Sequence, residues 1–232
     1  CAISSEGIII ASTFLENRSA KNCIVATSSH NSSAEKQFRN PTEYGTPKPQ
    51  TSTFTTTGGA AILLTTAKTN IKITSSTIGK IVDKGIKDVN HMGAIMAPAA
   101  ADTIYRHLKN LNQKPEYYDL IVTGDLGEYG KKILINYLKK VYNLDISKNY
   151  NDCGTMIYNT KKQAVLAGGS GPACSALTAF SYLLSKMKSG EIKRLLYVPT
   201  GAIFSPTMFF QKESIPAIAH AVSLEVVKEW FM

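Results

Sequence analysis

Gly168-Gly169-Ser170-Gly171-Pro172-Ala173-Cys174-Ser175 stands between a short apolar run, residues 164–166, and a strongly amphipathic one, residues 176–187. A strand that turns through glycines into a helix opens a row of backbone N–H groups at the helix N-terminus. Carboxylates, phosphates and oxyanions bind there. Pro172 suits the first helical turn, where its missing N–H loses nothing. The glycines also have a purely structural reading, in which they only let strand and helix approach closely.

Outward from this junction the second half of the chain alternates. Pro98 opens a helix whose apolar face is Ala101, Ile104, Leu108 and Leu111, at helical spacing. A strand over residues 120–122 ends at Thr123-Gly124-Asp125, and Ile133, Leu134, Tyr137, Leu138 and Val141 mark the next amphipathic helix. Residues 195–198 are a strand that ends at Thr200-Gly201, and residues 219–226 read as a last one. Strands alternating with helices predict a layered α/β fold with crossover connections.

The first half is less regular. Residues 2–15 are apolar nearly all round, which predicts a buried helix. Residues 23–26 read as a buried strand, residues 58–64 as another, and residues 71–74 are expected to pair with the latter. Residues 27–57 are polar without a sustained period, a long loop of the functional kind.

Composition sets the bounds. The 232 residues, 44% hydrophobic and 19% charged, suit one large core or two modest domains. No apolar run approaches the ~18 residues of a membrane span. A net charge of +9 favours anionic ligands and membrane surfaces. The basic residues are scattered rather than clustered with aromatics, which argues against nucleic acid. Cys1, Cys23, Cys153 and Cys174 form no C-x-x-C pair or metal spacing and read as reduced thiols of an intracellular protein. The chain begins at Cys1, without an initiator Met, and reads there as the middle of a fold. A fragment lacking its N-terminal part is expected, and it is silent on a signal peptide.

Ligands in an open α/β sheet collect outside the carboxyl ends of the strands. Four stretches occupy such ends: Thr27-Ser28-Ser29-His30, Gly124-Asp125, residues 168–171 and Thr200-Gly201. Cys1 joins them if it heads its helix, where the macrodipole favours a thiolate. His30 is a general base or ligand contact, or else an exposed loop histidine. Asp125 is a carboxylate at the end of a buried strand. Asp152, within Asn151-Asp152-Cys153-Gly154, also fits a plain turn. Arg39 pairs bidentately with a carboxylate or is a solvated loop charge. His91 and His107 read as surface residues, and His220 as a histidine packed in a strand.

Taken together, these stretches resemble one family. Residues 26–31 (ATSSHN), 37–39 (QFR), 41–45 (PTEYG), 97–103 (APAAADT), 123–126 (TGDL), 151–154 (NDCG), 168–171 (GGSG), 211–216 (QKESIP) and 218–220 (IAH) are similar to the stage V sporulation protein AD family. The motifs keep their order from Cys1 almost to the C-terminus.

The resemblance implies a thiolase-like layered α/β fold of two related βαβαβαββ halves. The first half is incomplete over residues 1–75, the second spans residues 76–232, and roughly the first third of the family's length is missing. Cys1 matches the position of the thiolase nucleophile. The Gly-His-Pro of thiolases reads Gly169-Ser170-Gly171-Pro172 here, and their Cys-x-Gly reads Pro199-Thr200-Gly201. The nucleophile position survives without its acid/base partners, so a binding protein on an enzyme scaffold is expected.

The implied ligand is dipicolinic acid, carried as calcium dipicolinate into the developing spore and out at germination. Gly169, Ser170 and Gly171 would hold its carboxylates, with Cys1, His30 and Arg39 around them. Asp125 or Asp152 would hold the calcium that travels with it, or a ring of ordered water. No resident metal or cofactor is implied. The implied location is peripheral, on the spore inner membrane, beside other membrane proteins of the same sporulation operon, and a homodimer follows by fold analogy. Two other readings stand beside this one: a thiolase- or ketoacyl-synthase-type acyltransferase using Cys1, and a scaffold subunit of a spore membrane channel complex.

Overall fold

The structure is a computed structural model and describes residues 1–34 and 48–227. Its centre is a five-stranded sheet of order β4-β11-β8-β5-β6. Here β4 is Ile71–Thr77, β5 Leu120–Thr123, β6 Tyr150–Asp152, β8 Arg194–Val198 and β11 Ala221–Val226. Strands β8, β5 and β6 run parallel, whereas β11 is antiparallel to both neighbours. Alternate residues of one strand serve two cores, as the period of two requires. Leu195 and Tyr197 enter one core, while Leu196 and Val198 enter the other. Both faces are therefore covered, which is why these strands read as continuous apolar runs.

Helices α2 (Met92–Asn110) and α3 (Gly127–Tyr142) cover one face through Ile95, Ile104, Leu108, Leu134 and Leu138. Helix α1 (Ala2–Glu16) and the helical run from Cys174 to Lys188 cover the other through Ile8, Ala11, Leu15, Leu183 and Met187. A π-helical turn, Thr178–Leu183, interrupts that run. Outside α1 lies a two-stranded antiparallel ribbon, β1 (Asn22–Ser29) with β3 (Gly58–Thr65). Two short pairs complete the structure: β2 (Phe54–Thr55) parallel to β7 (Gly169–Ser170), and β9 (Thr200–Ala202) antiparallel to β10 (Ala217–Ala219).

Several local expectations change. Ile71–Thr77 pairs with Ala221–Val226 at the edge of the central sheet and not with the preceding strand, which forms a separate ribbon with β1. Helix α2 starts at Met92, so Pro98 sits in its interior. An interior proline forfeits a backbone hydrogen bond; the fully buried run on either side keeps the helix going. Residues 164–166 are a turn, with Leu166 at φ +54, and extended pairing starts only at Gly169. Helix α1 buries one face only: Ile3, Ile10 and Phe14 are half exposed or more. The β1–β3 ribbon is likewise one-sided, with Val25 and Leu64 buried but Ile24 and Leu63 exposed.

His107 is the largest correction among the histidines. It lies wholly inside the sheet–helix core rather than on the surface. Its Nδ1 meets the Thr77 hydroxyl at 2.8 Å, and its Nε2 meets the Tyr118 hydroxyl at 2.9 Å. Tyr118 donates onward to Gln113 Oε1, so the neutral ring with its proton on Nε2 satisfies the whole chain. Burial lowers the imidazole to about 4. The neutral ring thus contributes stability in full above 6.5, and the contribution is lost as pH falls through about 4. An NMR titration of labelled histidine should give His107 a midpoint near 4; a midpoint at the ordinary 6.5 would refute this.

Candidate functional site

Cys1 is the N-cap of α1, yet its side chain makes no capping bond to the helix amides. The thiol turns instead to the glycine turn after β7 and donates to the Gly171 carbonyl at 2.8 Å. The Ser175 N–H points at the same sulfur at 3.4 Å. Behind it, the buried hydroxyls of Ser4, Ser175 and Tyr197 close a triangle with edges of 2.8, 2.8 and 3.3 Å. Ser4 also donates to the Cys1 carbonyl, which ties the head of α1 to β8.

Asp125 follows β5 and turns inward. It accepts from the Gly171 N–H at 3.2 Å and from the Thr200 hydroxyl at 2.9 Å. One carboxylate therefore joins the ends of β5, β7 and β9 beside Cys1. Of the predicted row of amides at Gly169, Ser170 and Gly171, the Gly171 N–H is held by Asp125. Strand β7 lies against β2, and the Phe54 and Thr56 amides donate to the Gly168 and Ser170 carbonyls. An anion would reach the Gly171 amide only by exchanging with Asp125.

Asp152 ends β6 and is fully buried. It accepts from the Thr123 hydroxyl at 2.7 Å and from the Leu126, Gly127 and Gly154 amides at 3.0, 3.0 and 3.1 Å. It caps the short helix Cys153–Met156 and anchors the start of α3. Burial pushes its carboxyl up to about 6, and the Asp125 charge adds to this, while Thr123 and the amides pull it down. Burial also raises the Cys153 and Cys174 thiols well above the usual range. Among the described residues no three His, Cys, Asp or Glu side chains cluster as a metal site.

The other candidates stand apart from the thiol. His30 is exposed, with its Nδ1 on the Ser32 N–H and hydroxyl. Its neighbour Ser29 accepts from the Ala173 N–H, so the end of β1 does rest on the glycine turn. Gly169 packs under Ile157 and Tyr158. Ser170 is buried on β7. Arg39 lies outside the described residues. A groove of about 470 Å³ opens beyond Gly169 between residues 56–57, residues 156–158 and the π-helical turn, and none of the predicted site residues lines it.

The family model for stage V sporulation protein AD matches residues 1–225. The chain belongs to the stage V sporulation protein AD family. It is 48% identical over 225 residues to the stage V sporulation protein AD of Bacillus subtilis, a match covering 97% of this chain and 66% of that protein. The chain thus spans about two thirds of the length of its curated relative. Solved structures of 3-oxoacyl-[acyl-carrier-protein] synthase III share the fold. The enzyme from Pseudomonas aeruginosa matches with a TM-score of 0.57 at 10% identity, over 97% of this chain and 65% of that one. The enzyme from Aquifex aeolicus matches with a TM-score of 0.51 at 14% identity, over 96% and 63%. This family member is therefore a sporulation protein with a mixed α/β, thiolase-like fold.

The Asp152 anchor predicts a stability effect. Asp152→Asn would turn an NH₂ group toward buried amide donors and should destabilise by about 2–4 kcal/mol. Urea unfolding reads this, and a loss below about 0.5 kcal/mol, the size of an ordinary surface change, would remove the anchor role.

Proposed function

We propose that this family member is a non-catalytic binder of dipicolinic acid that serves its uptake into the developing spore and its release at germination. The observation that carries the reading is the company of the Cys1 thiol. Thiol acyl transfer needs a base beside the sulfur and donors for the oxyanion. Here Gly124 faces the thiol so closely that a β-carbon on it would lie 3.0 Å from the Cys1 β-carbon and 2.9 Å from the Thr200 nitrogen. No basic side chain fits at that position.

The four histidines are engaged elsewhere: His30 with Ser32, His91 at the N-terminus of α2, His107 with Thr77 and Tyr118, and His220 with the Gly79 N–H. The net charge of +9 favours an anionic ligand such as a small diacid. The ligand itself comes from the family resemblance. Calcium is cargo in this reading, bound by the diacid and by oxygen donors of the protein.

A peripheral position on the spore inner membrane, contact with membrane proteins of the same operon, and a homodimer belong to the same proposal. Among the described residues no helix is long and apolar enough to cross a membrane.

Calorimetric titration with dipicolinate, with and without calcium, tests the reading on the protein at the length of its curated relative. Parallel incubation with acetyl-coenzyme A followed by intact mass measurement tests the enzyme. Saturable heat without a mass gain is expected. An acetyl adduct that disappears in Cys1→Ala would replace the binder with an acyltransferase, and no response in either assay would leave a scaffold subunit.

A further inference from the structure

We infer that the Gly171-Pro172 peptide is a silencing device that holds Cys1 as a neutral hydrogen-bond donor. The thiol stands at the head of α1 but makes no bond to the amides of α1, which would stabilise its anion. Its 2.8 Å partner is a carbonyl oxygen, so ionising the sulfur would set two negative atoms against each other. Against this carbonyl stands one donor, the Ser175 N–H, at 3.4 Å from the sulfur.

Two residues fix the carbonyl in that orientation. Asp125 holds the Gly171 N–H from the preceding peptide and is itself steadied by Thr200. Pro172 then follows, and a Gly–Pro peptide has no N–H, so rotating it cannot turn a donor toward the sulfur. The Thr27 hydroxyl bonds to the Pro172 carbonyl and the Ser29 hydroxyl accepts from the Ala173 N–H, which pins the far side of the turn to β1. Proline at 172, first read as a helix opener, lies two residues before the helix that starts at Cys174. Its effect falls on Cys1 instead.

The inference goes beyond ligand binding and is read separately from it. The experiment is alkylation by iodoacetamide across a pH series in the full-length protein, followed residue by residue by peptide mass spectrometry. Cys23, half-buried like Cys1, serves as the reference thiol, and the buried Cys153 and Cys174 report any opening of the fold.

Cys1 should react at least tenfold more slowly than Cys23 at neutral pH, with a rate still climbing where that of Cys23 has levelled. Pro172→Ala, which supplies the missing N–H, should raise the Cys1 rate about tenfold and leave Cys23, Cys153 and Cys174 unchanged. A wild-type Cys1 that reacts as fast as Cys23, or levels off at lower pH, overturns the inference without any variant. A Pro172→Ala gain shared by Cys153 and Cys174, or no gain at Cys1, also overturns it. Dipicolinate heat retained in Pro172→Ala would leave the binding proposal standing in either case.

Discussion

Two buried carboxylates hold the carboxyl ends of the sheet together. Asp152 gathers the end of β5, the first amides of α3 and the short helix that follows β6; Asp125 gathers the glycine turn after β7 and the start of β9. Charge-assisted bonds from several backbone amides offset much of the cost of burying a carboxylate. The arrangement stabilises a part of the fold where strands end and turns would otherwise splay. It also decides which atoms Cys1 meets, since Gly171 reaches the thiol in the orientation Asp125 gives it.

In the proposed non-catalytic reading, the same constraint sets this chain apart from the condensing enzymes whose fold it shares. An acyl-transfer site uses its strand ends to aim bases and amide donors at the reacting sulfur. Here the carboxylates and amides at those ends bond to one another. Gly124 packs directly against the Cys1 β-carbon and the Thr200 nitrogen, which leaves no room for a side chain there. A layered scaffold tolerates this because its stability lies in the two cores on either side of the central sheet, away from the strand ends.

Much of this was legible in the sequence, and the limits have physical causes. The strands ending at Thr123 and Val198 and the apolar faces of α2 and α3 announced themselves, because a buried parallel sheet and amphipathic helices leave local periodicities. The rule that sites gather at strand ends brought Gly124-Asp125, residues 168–171 and Thr200-Gly201 into one list, and in the fold they touch. The expected pairing of residues 71–74 with β3 fails because the partner, Ala221–Val226, lies about 150 residues away, and local spacing carries no signal of it. The wholly buried His107 was misread as exposed, since three or four residues of sequence do not reveal a hydroxyl contributed by a distant strand.

By itself the sequence determined the alternation of strands and helices, the family, the cysteine at the head of its helix and the absence of a histidine in the glycine junction. These are properties of residue type and short-range spacing. Tertiary structure alone decided which way hydrogen bonds point: carboxylates turned into the fold, the Gly171 amide taken by Asp125, and a carbonyl facing the thiol. A hydrogen bond has a direction and a reach of about 3 Å, so its partner is fixed only when segments some 170 positions apart, such as Cys1 and Gly171, are packed together.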